Sequence, residues 1–308
     1  MQHIRKPVVL ALTATMTAFT RDWGSSVRYF WDTISSWAYW RYVIFSAAGL
    51  QSVLTVFGAI YLIVEALDFF SIYSRDEHGK YAFFVFLLIA AILAIASRRP
   101  ISSTIVRFAQ RDFEIEVRIG DLFDAAGAVL VSTNTNFECD VASGKISTNS
   151  LQGQFTAKYF TGNQSKLIEE VTAGLPAELE PPYPMGTTVP VNTHGKTFYF
   201  TAMATLNDDG NASTTLPDVK KALNGLWEYV RRAGELQELA VPVIGTGRGR
   251  LQVPRNKMIE LISESFVEAA AKGKFSDRLV IVIHPDDAKR FPVNLYEVKD
   301  RLRQTLVV

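Results

Sequence analysis

The chain has 308 residues, of which 48% are hydrophobic, and a formal net charge of +1. This near-neutral balance excludes the strongly basic surface that nucleic-acid binding usually needs, so we expect neither DNA nor RNA as a partner. A single cysteine, Cys139, excludes an intrachain disulfide framework, as is usual for proteins of a reducing compartment. Four of the five tryptophans precede residue 41, which indicates that the apolar excess lies in the first third of the chain.

Residues 1–41 are predicted to form an interfacial segment rich in aromatic side chains. Trp23, Phe30 and Trp37 recur at helical spacing, and rings on such a helix face lie at the level of lipid headgroups. A cleaved signal peptide is the alternative, because two basic residues precede an apolar run from Pro7 to Met16. That run is short, contains two threonines and lacks a clear cleavage site, so we expect the segment to stay on the chain.

Two apolar segments within residues 42–97 predict a transmembrane hairpin. The first, Val43–Val64, contains no charge and is long enough, at 1.5 Å per residue, to cross a hydrocarbon core about 30 Å thick. The second, Tyr81–Ser97, is at the lower limit for spanning, and a buried core helix is the alternative. Gln51 and Glu65 could pair between copies of the chain, although Glu65 is close enough to the end of the span to lie among the headgroups.

The placement of lysine and arginine predicts the orientation of this hairpin. Basic residues outside the spans are Arg5, Lys6, Arg21, Arg28 and Arg41 before the first span and Arg98, Arg99, Arg107 and Arg111 after the second. The connecting loop carries more acidic residues, which are Glu65, Asp68, Asp76 and Glu77 against Arg75 and Lys80. Because basic flanks stay on the cytoplasmic side, both termini are expected in the cytoplasm.

Residues 98–111 are predicted to be a linker, with a weak helical pattern from Ile101 to Gln110. Residues 112–308 then alternate between strand and helix patterns. The predicted strands are Phe113–Ile119, Gly127–Ser132, Thr197–Ala202, Leu239–Ile244 and Arg278–Ile283, and the predicted helices are Leu216–Ala233, Asn256–Ala271 and Asp286–Leu306, the last broken near Pro292. Pro181–Pro190 and Asn207–Ser213 are predicted to be turn-rich loops. This alternation predicts an α/β fold with a mixed central sheet flanked by helices.

A glycine-rich segment follows one of these strands and precedes a helix. It contains three alternating glycines and two arginines, which are Gly245, Gly247, Gly249, Arg248 and Arg250. Glycine lets backbone amides approach a phosphate closely, and a helix N-terminus offers unpaired N–H groups to an anion. A tight turn without a ligand is the alternative, since the segment has neither the lysine of a P-loop nor the spacing of the dinucleotide fingerprint.

The order of three motifs resembles a macro domain, the α/β fold that binds ADP-ribose. These motifs are a strand ending in Gly120-Asp121-Leu122, a strand ending in Ser132-Thr133-Asn134-Thr135-Asn136, and the glycine-rich segment. The resemblance covers Asp112 to Val308. It implies that Asp121 takes the adenine, that Asn134 and Asn136 lie near the distal ribose, and that Gly245, Thr246, Gly247, Arg248, Gly249 and Arg250 wrap the diphosphate. Leu122, next to Asp121, is also included in the expected ligand-binding set.

The stretch after the second motif differs from macro-domain hydrolases. Where those enzymes carry a run of glycines, this chain has Ser147 to Phe155 with Gly153 alone, which puts hydrolysis in doubt. Donors and acceptors remain for a ribose or its substituent, so the binding set is extended by Ser150, Gln152, Gly153 and Gln154. The alternative is that these polar residues merely cap a helix starting at Gln152.

A macro domain behind a two-span hairpin resembles the membrane-type effector of Thoeris, a bacterial antiviral defence system. The resemblance implies a partner enzyme with a TIR domain that converts NAD into an ADP-ribose-containing nucleotide signal, which the macro domain senses. Oligomerisation and disruption of the membrane would follow. The expected location is the bacterial inner membrane, and the expected partners are the nucleotide, the TIR-domain enzyme, the lipid bilayer and further copies of the chain.

No catalytic residue, metal site or cofactor is expected beyond this ADP-ribose-derived ligand. The four histidines are scattered, and no Ser/His/Asp arrangement follows a nucleophile-elbow sequence. His284 ends a predicted strand, where a hydrogen-bonded structural role is the more common one. Two alternatives stay open, namely a membrane-tethered ADP-ribosyl hydrolase and a structural membrane protein whose domain has lost its ligand.

Overall fold

The computed structural model describes residues 30–31, 33–70, 72, 75–108, 111–206, 211–244, 251–291 and 293–306. The chain divides into two compact units, Met1–Ser102 and Ser103–Val308. The described part of the first unit is helical, whereas the second contains an eight-stranded sheet.

The helices of the first unit are α1 (Trp37–Val43), α2 (Ala47–Phe69) and α3 (Arg75–Ser97). Within α2, Gly49–Phe69 has 21 residues with a mean hydropathy of 1.8, and an 18-residue apolar window of this stretch contains no buried residue. By length and composition it is the one helix among the described residues that could cross a membrane. The second predicted span corresponds to a shorter apolar stretch, Phe83–Ser97, because the first turns of α3 carry charged residues.

The aromatic segment before α2 does not form one continuous helix in its described part. The chain leaves the helical conformation at Ser35 and Ser36, and α1 begins afresh with Ser36 as its N-cap. The Tyr39 hydroxyl donates to the carbonyl oxygen of Arg98, at a distance of 3.1 Å. This contact ties α1 to the end of α3, while residues 23–29 of the predicted helix lie outside the described residues.

The sheet of the second unit has its first strand at one edge and its last strand in the interior. Its strands are β1 (Ser103–Arg107), β2 (Glu114–Ile119), β3 (Ala128–Asn134), β4 (Thr188–Thr193), β5 (Lys196–Leu206), β6 (Ala212–Ser213), β7 (Glu238–Pro242) and β8 (Arg278–Ile283). The order is β1-β2-β8-β7-β3-β5-β4, with β6 paired to β5. The central strands β2, β8, β7, β3 and β5 are parallel, and β1 and β4 are antiparallel edges. The sheet is therefore mixed, as predicted.

Helices cover this sheet on both faces. They are α4 (Leu151–Tyr159), α5 (Gln164–Gly174), α6 (Leu216–Ala233), α7 (Arg255–Ala270), α8 (Pro285–Arg290) and α9 (Leu295–Leu306), together with a short 3-10 helix (Leu122–Asp124). Neighbouring residues of β8, such as Val280 and Ile281, are both fully buried although their side chains point to opposite faces. A continuous apolar strand of this kind is typical of parallel sheets with two covered faces.

The helix predicted from Ile101 to Gln110 is wrong for its central part, where the structure has strand β1. Thr104, Ile105 and Val106 are consecutive β-branched residues, which favour a strand over a helix. Thr104 and Val106 are buried, and β1 pairs antiparallel with β2. Similarly, β4 begins inside the predicted loop Pro181–Pro190.

Glu116, on β2, makes the stability of the second unit depend on pH. Burial raises the pKa of this carboxyl more than the nearby Arg118 and Arg278 lower it. A group with a raised pKa in the folded state contributes stability at low pH, and this contribution is lost as the pH rises through the folded-state pKa. We therefore expect Glu116→Gln to reduce the loss of thermal stability between about pH 4 and pH 7.

Thermal unfolding of the full chain across this pH range measures the effect. Glu169→Gln, which removes an exposed carboxylate on α5, controls for the loss of one charge. If Glu116→Gln and the original chain lose stability equally as the pH rises, burial of Glu116 does not govern this part of the pH dependence.

Candidate functional site

The carboxyl ends of the parallel strands bring the predicted site residues to one edge of the sheet. Asp121 follows β2 directly after Gly120, and Asn134 is the last residue of β3. Strand β7, which pairs with β3 in parallel, ends at Pro242 just before the glycine-rich segment. Ligands of open α/β sheets bind at this edge. The fold thus places Asp121, Asn134 and the end of β7, which are distant along the chain, on the same side of the sheet.

Asp121 has one carboxylate oxygen committed to the backbone and one facing a lysine. Its Oδ1 accepts from the backbone N–H of Phe123 at 2.9 Å, which caps the 3-10 helix. Its Oδ2 lies 3.4 Å from Nζ of Lys158, on α4. The side chain of Asp121 remains 45% exposed and is therefore open to a ligand, whereas Leu122 is buried.

Asn134 shapes the turn that follows β3. Its Oδ1 accepts from the backbone N–H groups of Asn136, at 3.0 Å, and Glu138, at 3.2 Å. Asn134 is buried, whereas Asn136 is exposed. The next residue, Phe137, has a φ of +51°, a left-handed conformation that is unusual for a bulky side chain. The turn therefore directs Asn136 outward at the cost of backbone strain at Phe137.

Ser150 and Gln152 have structural partners inside the chain. Ser150 is the N-cap of α4 and accepts from the backbone N–H of Gly153 at 3.0 Å. The buried amide of Gln152 accepts from the Thr133 hydroxyl at 3.2 Å and donates to the carbonyl of Glu138 at 2.8 Å. Ser150 thus has the capping role that was the alternative to ligand binding, and α4 starts at Leu151. Gln152 connects β3 to the turn that follows it.

Gly153 and Gln154 differ in their exposure. Gly153 is buried, and a methyl group at this position would overlap the backbone of Ser147 and Thr148. Gln154 is exposed and donates from Nε2 to the carbonyl of Asn149 at 3.2 Å. Glycine is therefore required at position 153 for the close approach of the preceding loop, and Gln154 presents its amide to solvent.

The glycine-rich segment lies outside the described residues, so its contact with a diphosphate stays a prediction. It comprises Gly245, Thr246, Gly247, Arg248, Gly249 and Arg250. The residues on either side are described, with Ile244 buried after β7 and α7 beginning at Arg255 behind Pro254. No side chain caps the N-terminus of α7 within the described residues.

Two lysines near Asp121 were not predicted from the sequence. Lys158 Nζ lies 3.5 Å from Asp124 Oδ1 as well as near Asp121. Lys196, at the start of β5, donates to the carbonyl oxygens of Phe123, at 2.9 Å, and Ala125. Burial lowers the pKa of Lys196, and the neighbouring charge of Lys158 adds to this effect. Lys158 follows Asp121 by 37 positions, so no local pattern could have joined them.

The contacts of Cys139 and His284 are those of structural residues. Burial raises the pKa of the Cys139 thiol to about 12, so this group stays protonated at neutral pH and is a poor nucleophile. His284 caps α8 by accepting from the backbone N–H of Asp286 at 3.3 Å. Across the part of the chain that the structure describes, no three His, Cys, Asp or Glu side chains are grouped as metal ligands.

Residues 115–284 match the family described as Thoeris protein ThsA, Macro domain. The chain belongs to this family. No curated protein matches it. Two structures of the Oceanobacillus iheyensis macrodomain, one with MES and one with ADP, are each 13% identical to this chain at a TM-score of 0.46. Both alignments cover 67% of this chain, and they cover 98% of the macrodomain with MES and 97% of the macrodomain with ADP. An alphavirus P23pro-zbd structure is also 13% identical, at a TM-score of 0.35, over 72% of this chain and 26% of its own.

Membership of the ThsA macro-domain family accounts for the motif order along the chain. The matched residues begin within β2 and end directly after β8. They include the strand ends that carry Asp121 and Asn134, and they include the glycine-rich segment between β7 and α7. The predicted macro-domain-like fold is thus confirmed.

Proposed function

We propose that this chain is a membrane effector of bacterial antiphage defence whose residues 112–308 sense an ADP-ribose derivative. The observation that carries the proposal is the placement of Asp121, the Asn134–Asn136 turn and the end of β7, which precedes the glycine-rich segment, at one sheet edge. In the ThsA family such a domain belongs to a defence pathway that uses a nucleotide signal. The role assigned is sensing rather than catalysis.

The ligand is proposed to lie along this edge, from β2 towards β3. Oδ2 of Asp121 accepts from the adenine amino group above Leu122, because Oδ1 is already bonded to the backbone. Asn136 and the exposed Gln154 face the distal ribose and its substituent. Asn134, Ser150, Gln152 and Gly153 hold the shape of this end through their bonds and packing.

The diphosphate is proposed to bind the glycine-rich segment, Gly245 to Arg250. Three glycines leave room for backbone N–H groups to approach phosphate oxygens, and two arginines add positive charge. The N-terminus of α7 comes soon after, and the N-terminus of a helix favours an anion.

Residues 42–97 are proposed to cross the membrane as a two-helix hairpin, with residues 1–41 at the interface. Helices α2 and α3 pack together, and the rings of Phe57 and Phe83 are 5.6 Å apart. Large side chains point outward from both helices, among them Leu54, Leu62, Phe84, Leu88 and Ile92. At 1.5 Å per residue, the apolar stretch Gly49–Phe69 of α2 is about 32 Å long and the stretch Phe83–Ser97 of α3 about 23 Å. The second is shorter than a typical hydrocarbon core, so local thinning of the bilayer would accompany its insertion.

Self-association of these hairpins is proposed to disrupt the membrane once the nucleotide is bound. A single pair of helices cannot enclose a polar pathway, so several copies are needed. Gly49 lies against the carbonyl of Val43 in the same chain and is not available to a second copy, whereas Gly58 has no described atom within 4 Å of where a Cβ would be. Close helix approach between copies is therefore proposed at Gly58 and Ala59.

Titration of the full chain in detergent with ADP-ribose tests the sensing role. We expect saturable heat in calorimetry, and no release of product when the mixture is analysed by chromatography. In dye-loaded vesicles, the TIR-domain enzyme supplied with NAD should cause leakage together with an increase in crosslinked oligomers. Absence of binding to ADP-ribose and to substituted relatives would overturn the sensing role. Turnover of an ADP-ribosylated substrate would replace it with the hydrolase alternative.

A further inference from the structure

The ligand-facing oxygen of Asp121 is already engaged by a cation of the same chain. Lys158 Nζ lies 3.4 Å from Oδ2, while the N–H of Phe123 holds Oδ1. An adenine amino group that approaches Asp121 therefore meets an oxygen that already faces the ammonium group of Lys158. Both donors would approach Oδ2, because Oδ1 cannot turn outward without breaking its bond to the N–H of Phe123.

Lys158 also has a second position available close by. Its Nζ lies 3.5 Å from Oδ1 of Asp124, and it is 5.3 Å from the ring centre of Phe123 and 5.9 Å from that of Tyr159. A cation near an aromatic face is attracted by the ring quadrupole. Lys158 can thus leave Asp121 without losing every favourable contact, because Asp124 and the two rings remain beside it.

We propose that Lys158 is an internal competitor that sets the affinity of Asp121 for the adenine of the ligand, with Asp124 as the acceptor that receives it. This inference rests on the proposed function of the site. The side chains of Lys158 and Asp121 are 40% and 45% exposed, and ion pairs so open to solvent are weak. A ligand can therefore displace the lysine, and the size of the effect stays within a few-fold.

If Lys158 instead attracts the anionic ligand, each of two substitutions should change the affinity in the opposite direction. If Lys158 competes, Lys158→Gln frees Oδ2 and tightens binding. Asp124→Asn then weakens binding, because the lysine loses its other carboxylate and stays on Asp121. If the charges act only on the diphosphate from a distance, removing a positive charge weakens binding and removing a negative charge tightens it.

The test is calorimetric titration of the full chain in detergent with ADP-ribose at about 0.15 M salt, where distant charges are largely screened. We expect Lys158→Gln to lower the Kd by about two- to five-fold and Asp124→Asn to raise it by a similar factor. In the double variant, Asp124→Asn should have no further effect, since no lysine remains to be redirected. Lys166→Gln, on the exposed surface of α5, controls for the loss of one positive charge.

The outcomes separate this inference from the function on which it rests. Weaker binding by Lys158→Gln, or tighter binding by Asp124→Asn, would overturn the competitor role while leaving ADP-ribose binding in place. An unchanged Kd in both single variants would overturn it as well. If no variant and no original chain bound ADP-ribose or its substituted relatives, the sensing function itself would fall, and the competitor role with it.

Discussion

Replacement of Asp121 with alanine is expected to weaken ADP-ribose binding by about 10- to 150-fold. The reason is the loss of the acceptor for the adenine amino group, since a hydrogen bond to a charged partner contributes about 1.5–3 kcal/mol. Calorimetry of the full chain measures the change. Because Oδ1 also caps the short 3-10 helix, the thermal midpoint of the variant has to be determined alongside.

Asp121→Asn separates the binding role from the capping role. The asparagine keeps an oxygen that can accept from the N–H of Phe123, and Asn is as good a cap as Asp. It removes the negative charge that attracts both the ligand amine and Lys158. We expect normal thermal stability and clearly weaker binding. If Asp121→Ala binds ADP-ribose as tightly as the original chain while remaining folded, the adenine does not lie at Asp121.

Replacement of Phe155 with alanine is expected to lower the free energy of unfolding of the second unit by about 3–5 kcal/mol. This ring is completely buried on α4. Its centre lies 4.7 Å from that of Phe198 and 5.1 Å from those of Phe200 and Tyr159. Truncation therefore leaves a cavity between α4 and strand β5 that rigid neighbours cannot fill.

Hydrogen exchange of the β3 and β5 amides measures this loss within the full chain, because it reports the opening of those strands alone. Ile168→Ala on α5 is the matched control, since Ile168 is 40% exposed and its truncation should cost less than about 1 kcal/mol. Equal losses of protection in the two variants would show that the aromatic cluster does not stabilise the sheet.

The buried strands and the amphipathic helices of the second unit were predictable because the spacing of apolar residues in each segment is typical of its conformation. Helix α6 has exactly the predicted bounds, Leu216–Ala233, and begins with a capping box between Thr215 and Asp218. Strand β8 also matches its prediction, Arg278–Ile283, because its apolar run is too short for a buried helix.

Strand β1 could not be predicted from its own period, since five residues fit a helical and an alternating pattern almost equally well. Pairing with β2 decides the conformation, and this pairing is a tertiary contact. The same limit applied to β4, where Pro190 suggested a loop. Pro190 lies on an edge strand, where a missing N–H is tolerated.

At the candidate site, sequence order was sufficient to place Asp121 and Asn134 at the same sheet edge. It was not sufficient to assign each polar side chain a role. Gln152 looks like a ligand donor in the sequence, yet its amide bonds to Thr133 and Glu138. Lys158 looks like an ordinary surface lysine on a helix, yet it reaches Asp121. Both roles depend on how α4 packs against distant segments.

The strand order also has a consequence for how the protein is made. Strands β2 and β3 are neighbours along the chain, but β8 and β7 lie between them in the sheet. The partner of Glu116 on β8, Arg278, is synthesised 162 residues later, which takes roughly 10–30 s at ribosomal rates. During that interval the apolar N-terminal helices have already left the ribosome. The apolar helices are therefore made first, and the sheet edge that carries Asp121 and Asn134 is completed only when the last strand is made.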